Sequence, residues 1–244
     1  IGKLYKLISG PQALFYNLAN KLPFSKLITE KIIGIDRKRN MPKISSYTFE
    51  SWFKKRKINT TGSRGKIVFF HDTHINYIHP EVGKSAVKIL ESAGYEVEIT
   101  DRKCCGRTLI SKGLLEEAKK YVDYNTNLLS SYVEAGIKIV GIEASCVSAI
   151  QDELPDLADQ REKAQKISDN TFTIQDLIMQ IQNDGKQQIK WNETNKDLLL
   201  FVHCHERALN GTNNSLGSLN LPGKFKAKLI DAGCCGMAGS FGME

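Results

Sequence analysis

The sequence has 244 residues, 41% hydrophobic and 25% charged, which is enough to bury one or two cores and excludes a disordered chain. Six cysteines are too few for a disulfide scaffold of this length. No run approaches the roughly 20 apolar residues of a membrane span, the N-terminus lacks a secretory signal pattern, and the net charge of +7 is unevenly placed.

From Ile1 to about Lys57, apolar residues at Leu4, Leu7, Ile8, Leu14, Phe15 and Leu18, then at Leu27, Ile28, Ile32 and Ile33, predict helices. Prolines 11, 23 and 42 cut them into short pieces. Residues 1–66 hold 15 Lys/Arg against three acids, a net of +12, and the rest of the chain is a net −5. Such asymmetry suits an anionic membrane surface, nucleic acid or an acidic partner as readily as a solvated helical face. The basic run 54–57 and the polar stretch to Gly65 read as a linker, with a boundary near residue 62. Beyond it, short apolar runs alternate with amphipathic stretches. Strands are expected at 66–70, 95–99, 137–142, 198–202 and 227–230, and helices at 81–93, 114–135, 148–156 and 173–182. This alternation predicts an α/β fold with mainly parallel sheets. The chain starts at Ile1 rather than Met and stops after a Gly-rich run, so a piece of a longer protein is expected.

An internal repeat organises the body. Phe69-Phe70-His71-Asp72-Thr73-His74 is similar to Phe201-Val202-His203-Cys204-His205-Glu206, and Cys104-Cys105-Gly106 to Cys234-Cys235-Gly236. The offsets are 132 residues for the first pair and 130 for the second. We therefore expect a basic helical lead-in over 1–62, then two duplicated α/β half-units over 63–160 and 161–244, the second truncated. Cys146, in Glu143-Ala-Ser-Cys146, has no counterpart in the second copy, because the same offset would place one at about residue 276.

Residues that follow strands collect along the carboxyl edge of a parallel sheet. Asp72, Cys146 and Cys204 hold such positions, and each CCG lies on a loop after a strand. Soft thiolates gathered there suit an iron–sulfur centre, zinc or copper(I). The C-x₂₋₄-C knuckles of structural zinc are absent. The glycine after each pair is expected to let cluster and backbone approach closely. His203 and His205 are candidate ligands or proton donors on the face opposite Cys204, provided the strand continues. Gly236-Met-Ala-Gly-Ser-Phe-Gly242 is neither a dinucleotide nor a P-loop fingerprint and is read as a CCG loop entering a helix. A thiol–disulfide catalyst and a cluster-free docking module stay open on the residues alone.

Cys104-Cys105-Gly106-Arg-Thr-Leu-Ile-Ser-Lys-Gly-Leu-Leu, Glu143-Ala-Ser-Cys146, His203-Cys204-His205 and Asp231-Ala-Gly-Cys-Cys-Gly-Met-Ala-Gly-Ser-Phe-Gly242 resemble the CCG cysteine-rich domains of iron–sulfur oxidoreductases. These include the B subunit of heterodisulfide reductase, the C subunit of anaerobic glycerol-3-phosphate dehydrogenase, and FAD-linked D-lactate dehydrogenase and glycolate oxidase-type proteins. The resemblance is strongest to the FAD-linked group, helped by Asn40-Met-Pro42 and Phe49-Glu-Ser-Trp52-Phe. It implies an iron–sulfur cluster of [4Fe–4S] type, cubane or non-cubane, held by Cys204, Cys234 and Cys235 with Cys104, Cys105 and Cys146 lining or completing the site. It also implies FAD in a domain or subunit outside this chain, a ferredoxin-like [4Fe–4S] domain, and electron flow from a 2-hydroxy acid to a quinone or other acceptor. A cytoplasmic location, peripheral at the inner face of the membrane, and no nucleic-acid partner are expected. The family's first cysteine is replaced in copy one by Asp72, and Cys146 lacks a C-x-x-C partner.

Overall fold

The computed structural model describes residues 2–185, 189–191 and 194–236. The expected helix within 237–242 lies outside them. The chain divides into two compact units, the first comprising residues 2–57, 71–85 and 236, the second residues 58–70 and 86–235.

In the first unit, proline and glycine punctuation sets the helices. Helix α1 (Gly2–Ile8) gives way to a 3₁₀ turn over Gly10–Gln12, followed by α2 (Ala13–Ala19). Helix α3 (Pro23–Ile33) starts on its proline, whose missing N–H costs nothing there, and stops at Gly34 with φ 76°. Residues 34–48 are not helical, against the expectation for 1–57. Asp36 Oδ1 accepts from Lys38 N at 2.7 Å, forming a local turn. The side-chain amide of Asn17 then exchanges two hydrogen bonds, of 2.7 and 2.9 Å, with the backbone of Ile44, holding this strap extended. Helix α4 (Phe49–Lys55) is capped by Thr48, whose hydroxyl accepts from Ser51 N at 3.1 Å. Tyr5, Ala13 and Ile44 form one buried cluster. Phe49, fully buried, packs against Trp52, Phe53 and His71 as another.

The body follows in the order β1 (Lys66–Phe69), α5 (Thr73–Tyr77), α6 (Pro80–Ser92), β2 (Glu96–Glu98), α7 (Arg107–Ser111), α8 (Leu115–Glu134), β3 (Lys138–Gly141), α9 (Ala144–Ser148), a π turn (Ala149–Glu153), α10 (Leu154–Leu157), α11 (Arg161–Asp169), β4 (Thr171–Thr173), α12 (Ile174–Asn183), β5 (Lys196–Leu200), α13 (Cys204–Leu209), α14 (Asn213–Asn220) and β6 (Phe225–Leu229). Strands β1–β4 form a parallel sheet of order β2-β1-β3-β4, and β5 pairs with β6, also in parallel. The fold is α/β with parallel sheets, as the alternation predicts. Ile67, Val68 and Phe69 are wholly buried, the continuous apolar run of a strand covered on both faces. Val68, Phe70, Ile139, Val122, Leu129 and Ile167 belong to one core cluster of the second unit, which Cys104, Cys105 and Cys146 join. Each CCG pair follows a strand–helix–helix–strand run, β1-α5-α6-β2 in one case and β5-α13-α14-β6 in the other.

Candidate functional site

The loop carrying Cys104 and Cys105 leaves β2 and is fixed by a residue that the sequence reading passed over. Asn125 of α8 is buried, accepts from Lys103 N at 2.9 Å, and donates to the carbonyls of Lys103 (3.3 Å) and Cys104 (3.2 Å). The signal was available: Ala118, Val122 and Leu129 mark the buried stripe of α8, and Asn125 is a polar residue within it. Gly106 then turns the chain with φ 90°. A Cβ there would meet no protein atom nearer than 3.8 Å, so among the protein's own atoms it is the left-handed conformation that requires this glycine. Gly236, after the second pair, has the same conformation at φ 77°.

The backbone N–H of Gly106 favours the thiolate form of Cys104, and that of Arg107 favours the thiolate form of Cys105. Both thiols are nevertheless held in the neutral form. Hydrogen bonding to Cys105 and burial push Cys104 far up. For Cys105, the bond from Cys104 favours the thiolate, but contact with Cys146 and burial outweigh it and push it well up.

Cys146 comes to this loop on α9. At the end of β3, Gly141 lets α9 pack closely, since a Cβ there would stand 2.6 Å from Val147 Cγ2. Glu143 caps the helix, accepting from Ser145 Oγ at 2.7 Å and Ser145 N at 3.4 Å. Cys146 Sγ then lies 3.0 Å from Cys105 Sγ. Three of the six predicted residues thus form one group, touching in sequence from Cys104 to Cys105 to Cys146.

The second group begins where β5 ends. The strand stops at Leu200 and α13 starts at Cys204, so the expected strand continuation through His203–His205 does not occur. His203 instead caps α13, its Nδ1 accepting from His205 N at 3.3 Å, and the two imidazoles stack with centroids 5.4 Å apart. Burial, then contact with the Cys234 thiol, raises the Cys204 pKa. Cys234 and Cys235 are exposed. Helix α13, which starts at Cys204, packs on α9, which carries Cys146. Burial, then the Arg107 cation, lowers the His205 pKa. Next to His203 opens a cleft of ≈ 220 Å³, bordered by Glu143, Gln175, Phe201, Glu206 and Ser215. Burial raises the Glu206 pKa despite the hydrogen bond that its carboxylate accepts from Ser215.

Asp72, which occupies the repeat position of Cys204, has a structural task. Its Oδ1 accepts from His74 N (2.7 Å) and Ile75 N (3.0 Å), capping α5. Beside it in sequence, His71 Nε2 lies 2.9 Å from Glu50 Oε1.

Among the described residues no group of three or more His, Cys, Asp or Glu side chains is arranged to hold a single metal ion. The donor set is nevertheless all sulfur in both groups, and backbone N–H groups favour the thiolate form of three of them, Cys104, Cys105 and Cys204. That chemistry fits an iron–sulfur cluster, which is bound by thiolates and tuned by hydrogen bonds to sulfur.

The profile of the cysteine-rich domain family named CCG matches residues 68–151, a span that includes Cys104, Cys105 and Cys146 and ends before the second CCG. Over 240 residues the chain is 27% identical to the C subunit of anaerobic glycerol-3-phosphate dehydrogenase of Escherichia coli (strain K12), covering 97% of this chain and 60% of that protein. It is 24% identical over 251 residues to D-2-hydroxyglutarate dehydrogenase of Haemophilus influenzae, covering 96% of this chain and 24% of that protein. Lactate utilization protein A of Bacillus subtilis (strain 168) is 25% identical over 194 residues, 73% of this chain and 75% of that protein. The chain therefore spans less than two thirds of the glycerol-3-phosphate and hydroxyglutarate relatives. No solved structure matches it. Residues 68–151 thus match the cysteine-rich domain family of the CCG type, as the motifs around Cys104 and Cys146 imply.

Proposed function

We propose that this chain is an iron–sulfur electron-transfer component of a flavin-linked dehydrogenase acting on a 2-hydroxy acid or a comparable alcohol. The observation that carries the reading is the sorting of the thiols into two groups, Cys104, Cys105 and Cys146 in one and Cys204 and Cys234 in the other, with Cys146 on α9 and Cys204 at the start of α13, two helices that pack together. In this reading Cys204, Cys234 and Cys235 hold a cluster of [4Fe–4S] type, cubane or non-cubane, with His203 and His205 beside it. Cys104, Cys105 and Cys146 line or complete the site, and the two CCG half-units are duplicated halves of one domain. The bound cluster supplies one-electron reduction and reoxidation. The backbone N–H groups of Gly106 and Arg107 favour the thiolate forms of Cys104 and Cys105, and Asn125 holds the CCG loop.

Two of the relatives are a dehydrogenase and a dehydrogenase subunit by name, which supports an oxidoreductase; in this reading a flavin-bearing partner or domain, a ferredoxin-like [4Fe–4S] domain and a quinone or other acceptor complete the electron path. Helices α1–α3 support a docking role for the lead-in. Phe15, Phe24 and Ile32 are 79%, 71% and 77% exposed amid lysines, a pattern suited to an anionic membrane surface. Among the described residues no helix is long and apolar enough to cross a membrane.

The contact of Cys105 with Cys146 favours a second reading, thiol–disulfide exchange on a substrate. The raised pKa values of Cys104 and Cys105 oppose it, because the thiolate is the nucleophile. Anaerobic reconstitution with iron and sulfide, followed by iron and sulfide analysis and EPR, tests the proposal. Stoichiometric uptake and a reducible signal are expected. A metal-free chain that reduces disulfides would establish the second reading, and one that does neither would be a docking module.

A further inference from the structure

Arg107 connects the two segments that bear the first thiol group. It directly follows Gly106, and its side chain crosses to the segment around Cys146. Nε donates to the Ser145 carbonyl at 3.3 Å, and Nη2 donates to Ser148 Oγ at 3.1 Å and to Glu153 Oε2 at 2.6 Å, while Nη1 donates to Glu153 Oε1. The Arg107 side chain is 12% exposed and the Glu153 side chain 22% exposed. Ser145 and Ser148 flank Cys146 in sequence, so the acceptors bracket the cysteine.

The π turn Ala149–Glu153 explains how all three acceptors reach one guanidinium. Ser148 and Glu153 are five residues apart. In a regular α-helix such residues point about 140° apart around the axis, but the wider π turn, with its i→i+5 bonding, brings them towards the same side. A π turn in place of an α turn thus turns Glu153 towards Arg107. The result is a fork-to-fork pair whose planar geometry lysine cannot reproduce.

We propose that Arg107 is a positioning residue: with Glu153 it clamps α9 to the CCG loop and sets the register of Cys146 against Cys105. For cluster binding this rests on the function proposed above; for the thiols themselves it does not.

The test measures the effective concentration of Cys105 towards Cys146 in the metal-free chain, using a glutathione redox buffer. Glutathione disulfide accepts the two electrons: Cys146 and Cys105 lose two protons, form one disulfide, and two glutathione thiols are released. The linked peptides bearing Cys104–Cys105 and Cys146 are quantified by mass. Arg107→Gln is expected to lower the effective concentration by about tenfold, the scale of a lost orientational constraint. Arg107→Lys should recover only part of it. If Arg107→Gln fails to fold, the double variant Arg107→Gln/Glu153→Gln, which leaves no buried charge unpaired, is measured in its place with the same expectation. A wild-type effective concentration in a folded variant would overturn the clamp. Iron uptake is measured in parallel on wild type: if wild type takes no iron, the proposed function fails while the thiol measurement still decides the clamp.

Discussion

Cys105 and Cys146, 41 residues apart in sequence, place their sulfurs 3.0 Å apart. The contact depends on two unrelated local features: a left-handed glycine after the CCG pair, and the close seating of α9 on the end of β3.

The seating of α9 makes Gly141 a sensitive position. Gly141→Ala puts a methyl group 2.6 Å from Val147 Cγ2, and the resulting shift of α9 should cost about 1–3 kcal/mol. Urea denaturation would show a lower midpoint with an unchanged slope, and Cys105 should alkylate faster as α9 lifts. Gly106→Ala makes only ordinary contacts with Ala118 but must adopt φ 90°, which costs about 1 kcal/mol.

Asp72 separates a cap from a ligand. Asp72→Ala should lose about 1 kcal/mol of stability, while Asp72→Ser or Asp72→Asn keeps most of it, because hydroxyl and amide oxygens also cap. Iron content after reconstitution should not change. A loss of iron with unchanged stability would make Asp72 a ligand.

The metal-free chain should lose stability in alkali. Cys104 and Cys105 have folded pKa values raised above the unfolded value of about 8.5. Their contribution is fully present below that value and is lost as pH rises above it, because only the unfolded chain ionises. The slope is at most about 1.4 kcal/mol per pH unit for each thiol. Denaturation from pH 7 to 10 should be flat to about pH 8 and fall beyond it. Replacing both cysteines by alanine should flatten the curve.

The outward apolar side chains of α1–α3 predict binding to anionic vesicles. Co-sedimentation with phosphatidylglycerol vesicles should fall about tenfold in Phe15→Ser/Phe24→Ser/Ile32→Ser, and also with rising salt. Lys54→Glu/Lys55→Glu/Arg56→Glu should weaken it without altering iron content. Wild-type chain that stays in the supernatant at low salt would remove the membrane role.

Sequence periodicity made the long or wholly apolar elements legible. Residues 66–70 read as a strand because an unbroken apolar run marks a strand covered on both faces, and 114–135 read as a helix from its stripe and terminal glycine. Strand β4 was not legible, because three residues with two buried threonines carry no period; Thr171 is satisfied by donating to the Ile167 carbonyl at 2.7 Å. The strap 34–48 was not legible either, because its docking depends on Asn17, a distant side chain. The cysteines stood out by pairing and repeated spacing. Arg107 did not, because its role depends on a π turn 42 residues away that leaves no pattern in the sequence.

The most direct test of the central claim is iron and sulfide per chain, with the EPR spectrum of the reduced centre, for reconstituted wild type, Cys234→Ser and Cys104→Ser. Wild type should hold a stoichiometric cluster, Cys234→Ser should lose both iron and signal, and Cys104→Ser should keep part of each with an altered spectrum. Full iron and an unchanged signal in Cys234→Ser, with both lost in Cys104→Ser, would contradict the assignment of the cluster to the second copy.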